Sequence, residues 1–196
     1  MKKLVTKIQR EEAILSSLKA LDYLTRSQIQ LLHDLGSARN ASRVLKDMEP
    51  FVSSFRDGES VYYLSAAGRE RIGSKKIRRK STTASHYVMR NSLYIAYGSP
   101  EDWRNEQLLK VEGKVSVICD AIFKRDGRYF IVEADHTQKM TANRSKISKY
   151  RKLLSLNVFE KPPVFVWITT TEYRRHQLAS LCEGLDVQIF TVSDFH

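Results

Sequence analysis

Cysteine is scarce in this sequence, whose 196 residues include only Cys119 and Cys182. Two isolated thiols in apolar surroundings cannot form a disulfide framework or a thiolate metal site, and unpaired buried cysteines are typical of a reducing compartment. The five histidines are scattered, without the spacing of zinc ligands. We therefore expect a cytoplasmic protein without disulfide bonds or a zinc site.

Long hydrophobic runs and familiar catalytic motifs are also missing. No stretch approaches the roughly 18 apolar residues of a membrane-spanning helix, and Lys7, Arg10 and Glu11 interrupt any signal-peptide core. There is no glycine-rich phosphate loop, GxSxG elbow or HExxH pair, which excludes the enzymes that depend on them. With 42% hydrophobic residues, the sequence predicts a soluble protein of one or two domains that does not bind membranes.

Acidic residues are the third shortage. The sequence contains only 22 Asp and Glu residues but 33 Lys and Arg residues, a net charge of +11. This charge predicts attraction to a polyanion. Residues 1–80 hold 17 basic and 9 acidic residues, a net charge of +8, whereas residues 81–196 carry a net charge of +3. The N-terminal part therefore gives the stronger indication of nucleic-acid binding.

The N-terminal part has the pattern of three helices. Apolar spacing predicts the first over Arg10–Leu24, and a second begins at Thr25, which has the spacing of a capping box with Gln28. Ser37 can cap a third helix over Ala38–Glu49. A hairpin with a charged tip follows, and this order is typical of a winged helix-turn-helix.

The outward face of the third helix is basic and polar. Residue types that reach base edges and phosphates occur there, and the predicted DNA contacts are Arg39, Asn40, Ser42, Arg43 and Lys46. On the wing, Arg56 could contact the phosphate backbone. Two alternatives remain open at this point, namely a helical domain with a solvated polar face and a winged helix that contacts proteins.

A basic segment follows the winged helix. Between residues 75 and 80 there are five positive charges, on Lys75, Lys76, Arg78, Arg79 and Lys80. Such a segment can follow phosphates and add affinity that depends on salt and not on sequence. The domains are therefore predicted as a winged helix at 1–73, a basic linker at 74–83 and an α/β domain at 84–196.

The C-terminal part mixes helices with strands. Its elements predict an α/β domain with a mixed sheet, made of an antiparallel hairpin and strands reached by helical crossovers. The predicted order is a helix at 84–97, a strand near 108–111, a hairpin over 117–135, a helix at 141–156, a strand at 163–169, a helix at 172–183 and a strand at 187–192.

The hairpin carries three carboxylates near one end. Asp126-Gly127 is a preferred pair for a two-residue turn, and the resulting register sets Asp120 opposite Glu133 with Asp135 on the same face. Because successive side chains of a strand point to opposite faces of the sheet, Cys119 is predicted on the face opposite that of Asp120. Because like charges about 5 Å apart repel, we expect a metal ion, a shared proton or a basic side chain between them.

Several residues together resemble the pattern of the replication-relaxation family, whose members pair a winged helix with a domain like that of PD-(D/E)XK nucleases. They are His86 in a leading helix, Trp103, Glu106, Asp120, Glu133-Ala134-Asp135, Lys146 and Tyr150. The resemblance implies a role in the replication or relaxation of plasmids and other mobile elements. It spans nearly the whole chain.

The resemblance to active PD-(D/E)XK nucleases is broken at one position. In active PD-(D/E)XK enzymes the second position after the Glu is a lysine, and here it is Asp135. An active nuclease would use Glu106, Asp120, Glu133 and Lys146, with Mg²⁺ or Mn²⁺ held by Asp120, Glu133 and Asp135. Otherwise Lys146, or Arg144, neutralises the carboxylates and fixes the helix to the hairpin.

The sequence as a whole favours a protein that binds specific double-stranded DNA sites and acts in replication control or transcriptional regulation of a plasmid, phage or integrative element. Its nuclease-like domain would be inactive and serve assembly or DNA contact, without a required cofactor. The alternative is a metal-dependent DNA endonuclease or nickase. A homodimer and replication or mobilisation proteins are the expected partners besides DNA.

Overall fold

The computed structural model describes residues 2–195, and the side chains from residue 5 onward. This part of the chain forms seven α-helices, a three-stranded sheet and a five-stranded mixed sheet, an α+β architecture. The chain divides into two compact units, residues 1–91 and 92–196. Residues 74–83 fall within the first unit, and their role as a linker stays a prediction.

The first unit contains four complete helices, a three-stranded sheet and the start of a fifth helix. In chain order the elements are α1 (Lys2–Leu21), β1 (Leu24–Thr25), α2 (Arg26–Leu32), α3 (Ala38–Asp47), β2 (Val52–Asp57), β3 (Glu59–Leu64), α4 (Ala66–Arg71) and α5 (Ala84–Ala96), which continues into the second unit.

The helix starts at α2 and α3 follow from local sequence. The side chain of Thr25 accepts from the amide of Gln28 at 3.1 Å, and the Gln28 side chain accepts from the amide of Thr25 at 3.1 Å, which confirms the predicted capping box. Ser37 accepts from the amide of Asn40 at 3.2 Å, which confirms the predicted start of α3.

The prediction for α1 was wrong at both ends. The helix covers Lys2–Leu21, not Arg10–Leu24, and Leu24–Thr25 instead form β1. Asp22 has a φ of 71°, which ends helical geometry. The next residues pair with β3, with Leu24 opposite Tyr62, so tertiary pairing overrides the local apolar pattern.

The small sheet has the order β1-β3-β2, with all pairs antiparallel. The predicted hairpin is confirmed, with a turn at Gly58. Beside it, the chain at Gly68 passes so close to Phe51 that a Cβ would lie 1.9 Å from the Phe51 carbonyl oxygen. Only glycine therefore fits at position 68 with this backbone.

The second unit is built on a sheet of order β4-β5-β6-β7-β8. Its antiparallel half, β4-β5-β6, joins a parallel half, β6-β7-β8, which confirms the predicted mixed sheet. The elements are β4 (Arg104–Val111), β5 (Val115–Arg125), β6 (Arg128–Asp135), α6 (Met140–Ser155), β7 (Val164–Thr169), α7 (Glu172–Leu181), β8 (Val187–Thr191) and a 3₁₀ turn (Val192–Phe195).

The turn between β5 and β6 sets their register as expected. Asp126 and Gly127 both have positive φ, 52° and 75°, the geometry of a two-residue hairpin turn. Arg125 lies opposite Arg128 and Ile122 opposite Ile131, which confirms the predicted register near the turn. The ladder ends at Ala121 opposite Val132, so the predicted direct pairing of Asp120 with Glu133 is not among its pairs.

Strict alternation fails near Asp120. Cys119 belongs to the same hydrophobic cluster as Ile122 and Tyr150, so the prediction that it lies on the opposite face was wrong. Glu106 on β4 has a φ of 52°, and its register position faces Asp120 between two regular pairs. The break lies in β5 itself, because its ladder with β6 ends at Ala121 opposite Val132 and the side chain of Asp120 instead accepts from the Ala134 amide at 2.8 Å.

An aromatic cluster lies around Phe123. Its ring stacks on Phe130 with centroids 4.9 Å apart and on Trp103 at 5.5 Å, and Tyr97 tilts against it at 5.1 Å. Such offset stacks stabilise the fold beyond the effect of the apolar area that the rings bury.

Within residues 2–195, no helix has both the length and the apolar character to cross a membrane.

Candidate functional site

The exposed face of α3 is basic. Val44, Leu45 and Ala41 are buried, so the helix turns its opposite side to solvent, where the exposed predicted contacts are Arg39, Ser42, Arg43 and Lys46. No acidic residue occurs in the first turn. The helix N-terminus also carries a partial positive charge, so this surface has the sign needed to bind phosphate.

Asn40 differs from its neighbours. Its Nδ2 donates to the carbonyl of Leu35 at 2.8 Å, and its Oδ1 accepts from Arg43 Nη2 at 2.7 Å. Both polar ends are therefore engaged within the chain, one fixing the entry to α3 and the other orienting a basic side chain. Asn40 thus helps position Arg43.

The tip of the β2–β3 hairpin contains charges of both signs. Arg56 is exposed, and the neighbouring Asp57 accepts from the Ser85 hydroxyl at 2.6 Å. Glu59 binds Arg26 at 2.8 Å and accepts from the amide of Ser27 at 3.0 Å. These bonds tie the hairpin to the starts of α2 and α5 and leave Arg56 as the basic group of its tip.

The basic segment, residues 75–80, is partly fixed in place by contacts with Asp22 and Tyr23. Arg78 contacts the buried Asp22 at 2.9 Å, and Lys76 contacts it at 3.4 Å. The Tyr23 hydroxyl donates to the carbonyl of Arg79 at 2.7 Å. The exposed side chains are those of Lys75, Lys76, Arg79 and Lys80. Asp22 as an anchor was missed from the sequence, because one acid after a helix has no distinctive pattern.

In the second unit, Glu133 and Lys146 form the centre of an acidic cluster, which we define as Asp120, Glu133, Lys146 and Tyr150. Glu133 is fully buried. Lys146 Nζ lies 2.5 Å from Glu133 Oε2 and 4.0 Å from Asp120 Oδ1, while the Tyr150 hydroxyl donates to Glu133 Oε1. Both oxygens of Glu133 are therefore bound by α6.

Burial and charge shift the protonation of this cluster. Burial, followed by the negative charge of Asp120, raises the pKa of Glu133 well above its ordinary value despite Lys146 and Tyr150. Burial acts to lower the pKa of Lys146, but the charges of Glu133 and Asp120 raise it overall. The lysine thus stays protonated and supplies the positive partner that the opposed carboxylates need.

Asp135 lies outside this cluster and has its own partners. Arg174 Nη2 donates to Asp135 Oδ1 at 2.6 Å and Arg174 Nε donates to Oδ2 at 2.7 Å, a bidentate pair. Asn143 and Thr169 donate to it at 3.0 and 2.8 Å. Burial acts to raise the pKa of Asp135, but hydrogen bonds from Arg174, Asn143 and Thr169 lower it overall.

Arg174 is the residue that sequence reasoning missed. It lies on α7, far along the chain from the hairpin, and no local motif links it to Asp135. Arg144, the suggested alternative partner of the carboxylates, instead lines an open groove with Tyr173 and His176. The parallel register of Asp135 with Thr169 at the end of β7 was the only available hint.

The donor set does not fit a divalent metal as it is arranged. Both Glu133 oxygens and both Asp135 oxygens accept from basic, hydroxyl or amide groups, and Asp120 Oδ2 accepts from the amide of Ala134 at 2.8 Å. Within residues 2–195, no group of three or more His, Cys, Asp or Glu residues could hold a metal ion.

Comparison with known proteins supplies the family. A family model described as Replication-relaxation matches residues 15–165, more than half of the chain. The chain belongs to the replication-relaxation family. No curated protein and no solved structure matches significantly.

Membership in the replication-relaxation family fits a role in the replication of mobile elements. The match extends over both the basic face of α3 and the acidic cluster. Among the remaining residues of the family pattern, Glu106 is exposed on β4, His86 packs edge-on against Tyr87 at 5.8 Å, and Trp103 Nε1 donates to Asn105 at 2.7 Å.

Proposed function

We propose that this chain is a sequence-specific double-stranded DNA-binding protein that acts in replication control or transcriptional regulation of a plasmid, phage or integrative element. The observation that carries the proposal is the exposed basic face of α3. The second unit would be a nuclease-like domain without catalysis, used for assembly or DNA contact, possible partners being replication or mobilisation proteins.

The arrangement of the first unit supports a winged helix-turn-helix. α2 and α3 follow each other closely, and β2 and β3 form a hairpin after them. In winged helices the helix at the position of α3 enters the major groove, and its N-terminal residues read base edges. Arg39 and Arg43 occupy that part of α3, while Lys46 lies at its C-terminal end.

Arg56 and the basic segment would add contacts to phosphate. Arg56 projects from the hairpin at the place where a wing meets the DNA backbone. Lys75 and Lys80 are exposed on either side of the Asp22 anchor, so the anchor holds the segment while its outer charges remain available. These contacts would raise affinity for any duplex, whereas α3 would select the site.

The test is retardation of a cognate DNA fragment obtained by selection from host and plasmid DNA. Arg39→Ala or Arg43→Ala should each weaken binding by about 1–3 kcal/mol, since an arginine bound to a guanine edge contributes that much discrimination. The matched control is Lys19→Ala, which removes one exposed positive charge from α1 in the same unit. It should alter binding far less.

Binding that survives both arginine changes at moderate salt would show that α3 is not the reading helix. Absence of any DNA binding at physiological salt would instead favour the protein-contact alternative.

The second candidate is a metal-dependent DNA endonuclease or nickase, favoured by the proximity of Asp120, Glu133 and Lys146. Nuclease activity would require Glu133 to lose its hydrogen bonds from Lys146 and Tyr150 before it could bind a metal ion. Incubation of the protein with supercoiled plasmid and Mg²⁺ or Mn²⁺ decides between the candidates. Nicking that Asp120→Ala abolishes would establish the nuclease, and we expect no nicking.

A further inference from the structure

β4 is the edge strand of the five-stranded sheet. The sheet order places β5 on one side of it and no strand of residues 2–195 on the other. It contains eight residues and no proline. Edge strands of this length pair readily with another strand unless proline, a cluster of lysines or a covering element prevents it.

An apolar pair lies beside this rim. Leu108 on β4 and Ile118 on β5 are directly opposite each other, and they are 56% and 55% exposed. Neighbouring large apolar side chains with this exposure favour a partner that covers them. A second β4 set against the first, antiparallel about Leu108, would extend the pair into a row of four apolar residues.

The exposed charges of β4 and of Glu112 in the turn after it are self-complementary in that same register. Within one chain Lys110 contacts Glu112 at 2.6 Å, so pairing would exchange this surface contact for contacts between the two copies. Antiparallel pairing about Leu108 places Glu106 opposite Lys110 of the second copy, and Arg104 opposite Glu112 of the second copy, twice each by symmetry. All four side chains are exposed. Opposite charges at directly opposed positions stabilise strand pairs, and like charges would destabilise them.

We infer that two copies of this chain pair through β4 across a two-fold axis at Leu108, which joins the two five-stranded sheets into one. The inference rests on the proposed function for its purpose, because two reading helices on two half-sites bind more tightly than one. The pairing itself is a property of the second unit and is tested without DNA, so it can fail while DNA binding stands.

The decisive experiment is mild oxidation of Leu108→Cys. At the two-fold axis the two introduced thiols would lie opposite each other, with Cβ atoms about 5 Å apart, within reach of a disulfide after small adjustment. The native thiols do not interfere, because burial raises the pKa of Cys119 to about 12 and that of Cys182 to about 11. We expect a disulfide-linked dimer on a non-reducing gel.

Lys110→Cys is the matched control. In the proposed register the two introduced thiols would be offset by four positions, about 13 Å along the strands, which a disulfide cannot span. No dimer from Leu108→Cys, or equal dimer from both variants, would overturn the inference.

Sedimentation equilibrium gives an independent test through charge. Lys110→Glu should weaken self-association about three- to tenfold, because it sets two pairs of like charges opposite each other. The double variant Glu106→Lys with Lys110→Glu should restore it. A double variant as weak as the single one, or a wild-type chain that stays monomeric at high concentration, would contradict the register.

Discussion

The α3 helix of the first unit and the acidic cluster of the second use their charged residues in opposite ways. On α3 the basic side chains of Arg39 and Lys46 stand in solvent, whereas in the acidic cluster Glu133 is fully buried and both of its oxygens are bound. Exposed charge is available to a ligand at little cost, while buried charge must first lose its partners. The difference teaches that the region richest in suggestive carboxylates is the less accessible of the two.

The largest expected effect is on the acidic cluster. Lys146→Met leaves Glu133 buried beside Asp120 without a cation, so Glu133 must keep an unpaired charge or bind a proton. The free energy of unfolding should fall by up to about 3–5 kcal/mol, the cost of an unpaired buried charge. Urea unfolding followed by tryptophan fluorescence measures this, since Trp103 and Trp167 both lie in the second unit. The DNA binding that we propose for α3 should persist under native conditions.

Lys149→Met is the matched control, because Lys149 is exposed on the same helix. Combining Lys146→Met with Glu133→Gln should recover part of the loss, as the stranded charge is gone. If Lys146→Met were as stable as Lys149→Met, the cluster would not be structural and the comparison would fail.

The second prediction concerns Asp135. Its folded-state pKa lies below the ordinary value of 3.8, so the unfolded chain binds more protons in the window between the two. Stability from this group is therefore complete above the ordinary pKa and is lost as pH falls through the folded one. Asp135→Asn should cost about 2–3 kcal/mol at neutral pH.

Tryptophan-monitored unfolding across the acid range checks this sign. The difference between wild type and Asp135→Asn should shrink as the pH falls below 3.8. A difference that stays constant down to the lowest pH would mean that ionisation of Asp135 does not stabilise the second unit.

The third prediction tests whether Asn40 reads DNA or holds α3. Asn40→Ala removes the bond to the Leu35 carbonyl and should destabilise the start of α3 by about 1 kcal/mol. Faster amide hydrogen exchange in α3, measured by mass spectrometry without DNA, is the expected result. Unchanged exchange together with altered site preference would make Asn40 a direct reader.

The smallest effect separates two residues of the basic segment. Lys80→Ala should reduce the slope of log affinity against log salt by about 0.9, the value for one lost phosphate contact, without changing stability. Arg78→Ala should instead loosen the first unit, because Arg78 binds Asp22 and lies over the Tyr87 ring. Salt titration of DNA binding and circular dichroism distinguish them.

Features set by neighbouring residues could be predicted from the sequence. The Asp126-Gly127 turn fixed the register of β5 and β6, and the Thr25 capping box fixed the start of α2. Both depend on backbone preferences within four residues, which the sequence states directly. The mixed sheet followed from the alternation of helical and strand patterns.

Features set by residues that are distant in the sequence could not be predicted from it. The bidentate bond of Arg174 to Asp135 and the anchoring of Arg78 by Asp22 join positions separated by many elements. The positive φ of Glu106 is equally hidden, because glutamate has no preference for it. The departure of β5 from regular alternation at Asp120, which made the prediction for Cys119 wrong, is likewise set by a contact with another strand, the bond from the Ala134 amide to Asp120.

The mixed sheet also has a consequence for the order of folding. β4, β5 and β6 are joined by short turns, so they can pair early, whereas β7 must wait for the whole crossover through α6. Glu133 would then sit in a preformed meander, still hydrated, until α6 docks and delivers Lys146 and Tyr150. Loss of Lys146 should therefore speed unfolding more than it slows folding. The acidic cluster would form late in folding and hold α6 against the sheet of the second unit.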